Sequence, residues 1–133
     1  MKSSDLLREG FATWQRFCPD SERTLIVSLP EAPGVYVIRR KQPFGRFAGE
    51  TDIAYIGSAA SAQGLKGRIR QYFHPGPTQR TNQRILALIE RSDDLELSFV
   101  ERPTADDARN LEKRLLSQYD AEHGELPPLN RRE

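Results

Sequence analysis

A glutamate lies within the apolar stripe of the last predicted helix, where its carboxylate needs a partner. Ala108, Leu111 and Leu115 recur at helical spacing, and Glu112 lies four residues after the first and three before the last. An unpaired charge on such a face is costly, because it loses contact with water. Two interpretations follow: Glu112 binds a cation in a functional site, or it forms an ion pair at the edge of the stripe, for example with Arg109 one turn earlier.

Three tyrosines and an arginine could act together on a phosphate group. Arg68 and Tyr72 lie four residues apart on a predicted helix, and Tyr36 and Tyr55 lie on neighbouring predicted strands. A guanidinium carries forked donors that match phosphate oxygens, and it would lower the pKa of a nearby tyrosine by favouring the phenolate. Hydrolysis of a phosphodiester needs such charge neutralisation and a group that takes a proton from water. The alternative is structural, with Arg68 a solvated surface residue and the tyrosines part of the core.

One segment is basic although the whole chain is nearly neutral. The formal net charge is +1, yet residues 53–89 contain no Asp or Glu and carry five basic residues: Lys66, Arg68, Arg70, Arg80 and Arg84. Such a patch is either a solvated face or a surface for a polyanion, whose phosphates release counterions on binding. In the second interpretation Lys66, Arg70, Arg80 and Arg84 bind nucleic acid.

The hydrophobic pattern predicts the elements that must position these residues. Runs rich in β-branched and aromatic residues predict three strands, over 34–38, 53–57 and 95–100. The third strand alternates and should have one face exposed to water. Helical spacing and end signals predict four helices, over 4–17, 65–73, 81–91 and 104–119. The expected fold class is α/β (α+β), a small sandwich around three strands.

Two local signals refine this prediction. Thr104 followed by Asp107 resembles a capping box that opens the last helix. Pro43, Gly45 and Gly49 predict a long loop over 39–51. The basic residues of that loop either contact DNA or simply form part of a polar surface loop.

Length and composition indicate one globular domain. The chain has 133 residues, of which 37% are hydrophobic and 29% charged. It contains no apolar run of the ~20 residues that a membrane span needs, and its charged N-terminal stretch is unlike a secretion signal. We therefore expect a cytoplasmic protein without membrane contact. Cys18 is the only cysteine, which excludes an internal disulfide and a cysteine-based zinc site.

Several short motifs, taken in order, resemble the GIY-YIG nuclease family. They are Gly34-Val35-Tyr36, Tyr55-Ile56-Gly57, the segment 64–73 around Arg68, Glu112 within 110–116, and Asn130 after Pro128-Leu129. Each is weak alone, but their order makes the resemblance specific. It covers about Pro33 to Arg131. It implies a three-stranded antiparallel sheet flanked by helices, with 30–133 as the nuclease domain and 1–29 as an extra helical lead-in packed on it.

The resemblance also implies a role for each motif residue in a metal-dependent endonuclease. Tyr36 and Tyr55 would be the paired tyrosines, one of which activates or positions the attacking water, and either remains open for that role. Arg68 would clamp the scissile phosphate, and Tyr72 would occupy the auxiliary His/Tyr position. Glu112 would hold one Mg²⁺ (or Mn²⁺) ion, and Asn130 would hydrogen-bond within the site. A single carboxylate argues against a two-metal mechanism.

The expected partner is nucleic acid, DNA rather than RNA by analogy with the family. The chain has little room for a separate DNA-reading domain, which favours structure-selective cleavage or guidance by a protein partner. The alternative is a catalytically silent module on the same fold that binds nucleic acid or another protein.

Overall fold

The computed structural model describes residues 1–91 and 94–130. Two short 3-10 helices, Ser3–Glu9 and Pro19–Ser21, lie in the N-terminal part. The strands and α-helices, in chain order, are β1 (Gln15–Arg16), α1 (Glu22–Ser28), β2 (Gly34–Gly45), β3 (Glu50–Ala59), α2 (Gly64–Phe73), α3 (Arg80–Arg91), β4 (Leu95–Glu101) and α4 (Ala105–His123).

The strands form one antiparallel sheet in the order β1-β4-β2-β3. The central strand β2 pairs with β3 on one side and β4 on the other. Tyr36 lies opposite Gly57 on β3 and opposite Phe99 on β4. The predicted fold class, an antiparallel sheet flanked by helices, is confirmed, and β1 adds a two-residue strand at the β4 edge.

Helices cover both faces of the sheet, because alternate residues of β2 point to opposite sides. Tyr36 and Ile38 face a core shared with α1, α2 and α3. Val35 and Val37 face a second core shared with α4. The buried residues of α4 are those of the predicted stripe, continued to the C-terminal end: Ala108, Leu111, Leu115, Tyr119 and His123.

The prediction of a helix over 4–17 is wrong in its extent. The 3-10 helix ends at Glu9 because Gly10 adopts a left-handed conformation (φ 104°) that closes the last turn. The chain then forms β1 and turns into α1, which the sequence pattern did not predict. This path puts Phe11 in the α4 core and Phe17 in the opposite core. The division into a lead-in (1–29) and a domain (30–133) stays a prediction.

The predicted loop over 39–51 is instead a β-hairpin. Strand β2 continues to Gly45 and β3 begins at Glu50, with Phe44 opposite Thr51. Register shifts on either side of Arg39 accommodate the irregular part, including Pro43. Arg39 stacks 4.1 Å from the Trp14 ring centroid and binds Glu96, so this basic residue supports the fold.

The prediction of a water-exposed face on β4 is also wrong. Ser98 and Val100 are buried, because α4 and the N-terminal segment cover that face of the sheet. The predicted cap of the last helix is confirmed, since Thr104 Oγ1 accepts a hydrogen bond of 3.1 Å from the Asp107 amide. Among the described residues, no helix is long and apolar enough to cross a membrane.

Candidate active site

Two tyrosine hydroxyls and an arginine meet beneath α2. The hydroxyl of Tyr36 on β2 hydrogen-bonds the hydroxyl of Tyr72 on α2. Arg68, one helical turn before Tyr72, donates from Nε to the Tyr36 hydroxyl over 3.2 Å. The spacing of four residues on α2 therefore brings the guanidinium and the second phenol to the same point.

Gly57 provides the space that Tyr36 occupies. It lies opposite Tyr36 in the sheet, and a Cβ on Gly57 would lie 2.6 Å from the Tyr36 hydroxyl and 2.6 Å from Cε1 of Tyr55. A glycine inside a strand often marks such a close approach. Gly57 belongs to the motif Tyr55-Ile56-Gly57 but was assigned no function from the sequence, although its position in a strand was the signal.

Tyr55 completes the aromatic group on the same face. It pairs with Ile38, so it lies diagonally across from Tyr36, with ring centroids 5.8 Å apart. The Tyr72 ring lies 5.9 Å from that of Tyr36 and 6.4 Å from that of Tyr55. Tyr36 and Tyr72 are fully buried, whereas Tyr55 keeps 9% of its surface exposed. Of the three tyrosines, Tyr55 is therefore the least enclosed.

Burial determines the charge state of the inner pair. It raises the pKa of Tyr36, an effect that the nearby tyrosine Tyr55 strengthens and Arg68 only partly opposes. Burial likewise raises the pKa of Tyr72. Arg68 lowers the pKa of both tyrosines as expected, but the net shift is upward because desolvation is the larger effect. Both hydroxyls are neutral at pH 7 and act as hydrogen-bond donors and acceptors.

Arg68 is half-buried and held from several sides. Its guanidinium carbon lies 5.2 Å from the Tyr72 ring centroid, and Nη1 donates to Gln71 over 3.2 Å. Within residues 1–91 and 94–130, no carboxylate forms an ion pair with it. A fixed guanidinium without a counter-charge suits an anionic ligand. The interpretation of Arg68 as a solvated surface residue does not fit these contacts.

Glu112 lies on α4, half-buried at the flank of the apolar stripe. The alternative of an ion pair with Arg109 is wrong, because Arg109 binds Asp106 over 2.9 Å. In the part of the chain that the structure describes, the Glu112 carboxylate forms no hydrogen bond or ion pair. Helix α4 packs on the face of the sheet opposite Tyr36.

Asn130 lies at the open edge of β3. Its side-chain amide donates to Ile56 O (2.8 Å) and accepts from Ile56 N (3.0 Å). These are the bonds that a neighbouring strand would make. Asn130 is thus next to Tyr55 in the sheet, at the edge where the two helical layers meet. Arg131, the last residue of the motif resemblance, is outside the described residues.

The predicted nucleic-acid-binding residues differ in their surroundings. Arg70 and Arg80 are exposed, and Lys66 is half-buried near the start of α2. Arg84 is half-buried, and its Nη2 donates to Leu129 O over 3.0 Å, so it anchors the C-terminal segment. No cluster of three or more His, Cys, Asp or Glu side chains that could hold a metal occurs among the described residues.

The sheet, its two helical layers and the tyrosine–arginine cluster define a GIY-YIG fold. The chain is similar to one solved structure in particular, the crystal structure of the GIY-YIG N-terminal endonuclease domain of UvrC from Thermotoga maritima, bound to magnesium as its catalytic divalent cation. The TM-score is 0.54 at 25% sequence identity, and the match covers 84% of this chain and 98% of that one. No family model and no curated protein matches the sequence.

Proposed function

We propose that this chain is a divalent-metal-dependent endonuclease that hydrolyses phosphodiester bonds in DNA. The observation that carries the proposal is the cluster of Tyr36, Tyr72 and Arg68 beside Tyr55, since it combines a fixed guanidinium with polar hydroxyls. The structural likeness to a magnesium-bound endonuclease domain supports a nuclease-type function.

The geometry favours a division of roles between the phenols. In hydrolysis a water oxygen attacks phosphorus, its proton leaves, and the phosphorus–oxygen bond to the leaving group breaks. Tyr55 is the tyrosine of the three that keeps part of its surface exposed, so its oxygen would accept a hydrogen bond from the attacking water and orient it. Tyr36 and Tyr72 are buried and neutral, and they hold Arg68 in position through the Tyr36 hydroxyl. Arg68 then binds an oxygen of the scissile phosphate.

Glu112 is the residue that would hold the metal ion. A half-buried carboxylate that forms no ion pair among the described residues fits a cation that supplies the missing charge. Mg²⁺ takes oxygen ligands and keeps several waters, so one carboxylate is a sufficient protein ligand. When bound, such an ion offsets negative charge on the phosphate and on the leaving oxygen.

The test is cleavage of labelled duplex, single-stranded, nicked, flapped and branched DNA and of RNA, with magnesium, manganese or EDTA. Glu112→Gln should lower the rate by at least ~100-fold, as loss of one electrostatic stabiliser does, and leave stability within ~0.5 kcal/mol. Asp106→Asn is the matched control, because this exposed acid on the same helix binds only Arg109 in the described part.

Arg68→Lys should lose activity in the same assay, whereas Arg70→Lys, an exposed neighbour on α2, should keep it. A Glu112→Gln variant that cuts at the wild-type rate would remove the assigned metal ligand. If no substrate is cut under any condition, but DNA binding weakens as salt rises, the fold is a silent binding module instead.

A further inference from the structure

An apolar groove lies beside the candidate active site, between the β2–β3 hairpin, α3 and the C-terminal segment. We call it the hairpin groove. Its volume is about 400 Å³, within the range of about 300–1,000 Å³ typical of small-ligand sites. It is lined by Arg40, Phe44, Arg46, Ala54, Leu88, Asp94, Leu95, Pro128 and Leu129.

The walls of the hairpin groove suit a flat, partly apolar group. Phe44 supplies an aromatic ring from the hairpin, and Leu88 and Leu129 supply aliphatic surface from the other two sides. All three side chains are half-buried, so they present surface without being enclosed in the core. A ring that stacks on Phe44 would bury apolar area on both of its faces.

The two arginines at the groove each form an ion pair. Arg40 has 44% of its side chain exposed and pairs with Asp94, with its Nε 3.6 Å from Asp94 Oδ2, longer than a hydrogen bond. Arg46 pairs with Glu125 over 2.7 Å. The Arg40 guanidinium carbon also lies 5.5 Å from the Phe44 ring centroid. A phosphate that competes with Asp94 for Arg40 would therefore lie next to the Phe44 ring.

Arg46 makes the same wall rigid. Its Nη2 binds Glu125 and the Leu126 carbonyl, which fixes the guanidinium. Its Nε is buried, so Arg46 supports the wall and does not offer that atom to a ligand.

The hairpin groove and the tyrosine site both involve strand β3. Ala54 lines the groove and immediately precedes Tyr55, and the Ala54 carbonyl accepts a hydrogen bond of 3.0 Å from the Leu129 amide. Ala54 also lies at an irregularity, between the pairs Ile38–Tyr55 and Arg39–Ile53. The groove and the tyrosine site are therefore neighbours along β3.

We propose that the hairpin groove binds an unpaired nucleotide of the strand that is cut, with its base on Phe44 and its phosphate on Arg40. This rests on the proposed nuclease function and gives its substrate class: DNA with a single-stranded segment at the cleavage point, rather than continuous duplex. Stacking on aromatic side chains accepts any base, so the selection is for unpaired structure and not for sequence.

The experiment measures binding without cleavage, by fluorescence anisotropy in EDTA. The probes are a labelled oligothymidine and a blunt duplex of the same length. Phe44→Leu keeps an apolar side chain in the hairpin and removes the aromatic face. It should weaken oligothymidine binding about ten-fold, equivalent to about 1.4 kcal/mol and in line with the loss of one stacked base. Duplex binding should not change.

Phe47→Ala is the matched control, because Phe47 lies at the tip of the same hairpin, is 87% exposed and does not line the groove. It should bind both probes as the wild type does. Arg40→Gln should weaken oligothymidine binding and reduce its salt dependence, since one phosphate contact is lost. Equal effects of Phe44→Leu and Phe47→Ala, or equal losses on both probes, would overturn the proposal.

This result is separable from the test of the nuclease function. One outcome would refute the groove proposal alone: cleavage requires metal and Glu112, but it is equally fast on duplex and flapped DNA and does not change in Phe44→Leu. The opposite outcome is that no variant, the wild type included, cuts any substrate while binding still depends on Phe44. It would refute the nuclease function and leave the groove as a site for single-stranded nucleic acid.

Discussion

Replacing Gly57 by alanine tests whether the tyrosine site depends on close packing across β2 and β3. The new Cβ would lie 2.6 Å from the Tyr36 hydroxyl and 2.7 Å from its Cζ, distances that real contacts do not allow. The Tyr36 ring has no free direction to move in, because Tyr55 and Tyr72 flank it and its hydroxyl is bonded to Tyr72 and Arg68.

The expected cost follows from these contacts. Overpacking a core costs about 1–3 kcal/mol, and a displaced Tyr36 hydroxyl loses hydrogen bonds worth about 0.5–1.5 kcal/mol each. The lower entropy of the unfolded chain with alanine returns about 0.4–1 kcal/mol. We expect a net loss of about 2–3 kcal/mol in the free energy of unfolding, or roughly 10 °C in Tm.

Urea unfolding followed by circular dichroism measures this free energy, with Gly45→Ala as the control on the same hairpin. A Cβ at Gly45 meets nothing within 4 Å, so this variant should be as stable as the wild type or slightly more stable. Cleavage by folded Gly57→Ala should also fall, because Arg68 loses its contact with Tyr36. Equal unfolding midpoints for the two variants would show that the site tolerates a side chain there and would refute this account.

Two further outcomes follow from the edge of the sheet and from the buried phenols. Asn130→Ala removes both side-chain bonds to Ile56 and should lower the free energy of unfolding by about 1–2 kcal/mol; an unchanged urea midpoint would contradict it. The pKa of Tyr36 and of Tyr72 is raised in the folded state. Tyrosines of the unfolded chain therefore ionise first, at about pH 10. The contribution of the two residues to stability is complete below that pH and is lost as the pH rises above it. The urea midpoint of the wild type should therefore fall above about pH 10. The fall should be less steep in a Tyr36→Phe, Tyr72→Phe double variant. A midpoint that stays constant in the wild type would be evidence against this reasoning.

The sequence predicted best the elements that have a strong local pattern. Helix α2 was predicted over 65–73 and lies at Gly64–Phe73, and β4 was predicted over 95–100 and lies at Leu95–Glu101. The tyrosine group was predictable too, since Tyr36 and Tyr55 are on neighbouring strands and Arg68 and Tyr72 share a helix face.

Features that depend on distant parts of the chain were not predictable. Pro43, Gly45 and Gly49 are turn residues, yet pairing with β3 makes most of that segment a strand. Ser98 alternates like a surface residue, but α4 and the N-terminal segment bury it. The net rise in the pKa of Tyr36 and Tyr72 was not predictable either, because sequence spacing shows which groups are near but not how deeply they are buried.

The start of α2 has a consequence for how the protein meets negative charge. The amides of Leu65 and Lys66 donate to the carbonyls of Ala32 (2.9 Å) and Pro30 (3.0 Å), so the chain itself occupies the donors that a helix start usually offers to phosphate. Gly64 makes this possible, with φ +57° and no room for a Cβ against the Ala32 backbone. An anion here must then be bound by side chains and by cations that side chains hold. Each of these side chains can be replaced by a single substitution. Single substitutions can therefore change the affinity of this site for phosphate in small steps. They cannot do so where backbone amides bind the anion.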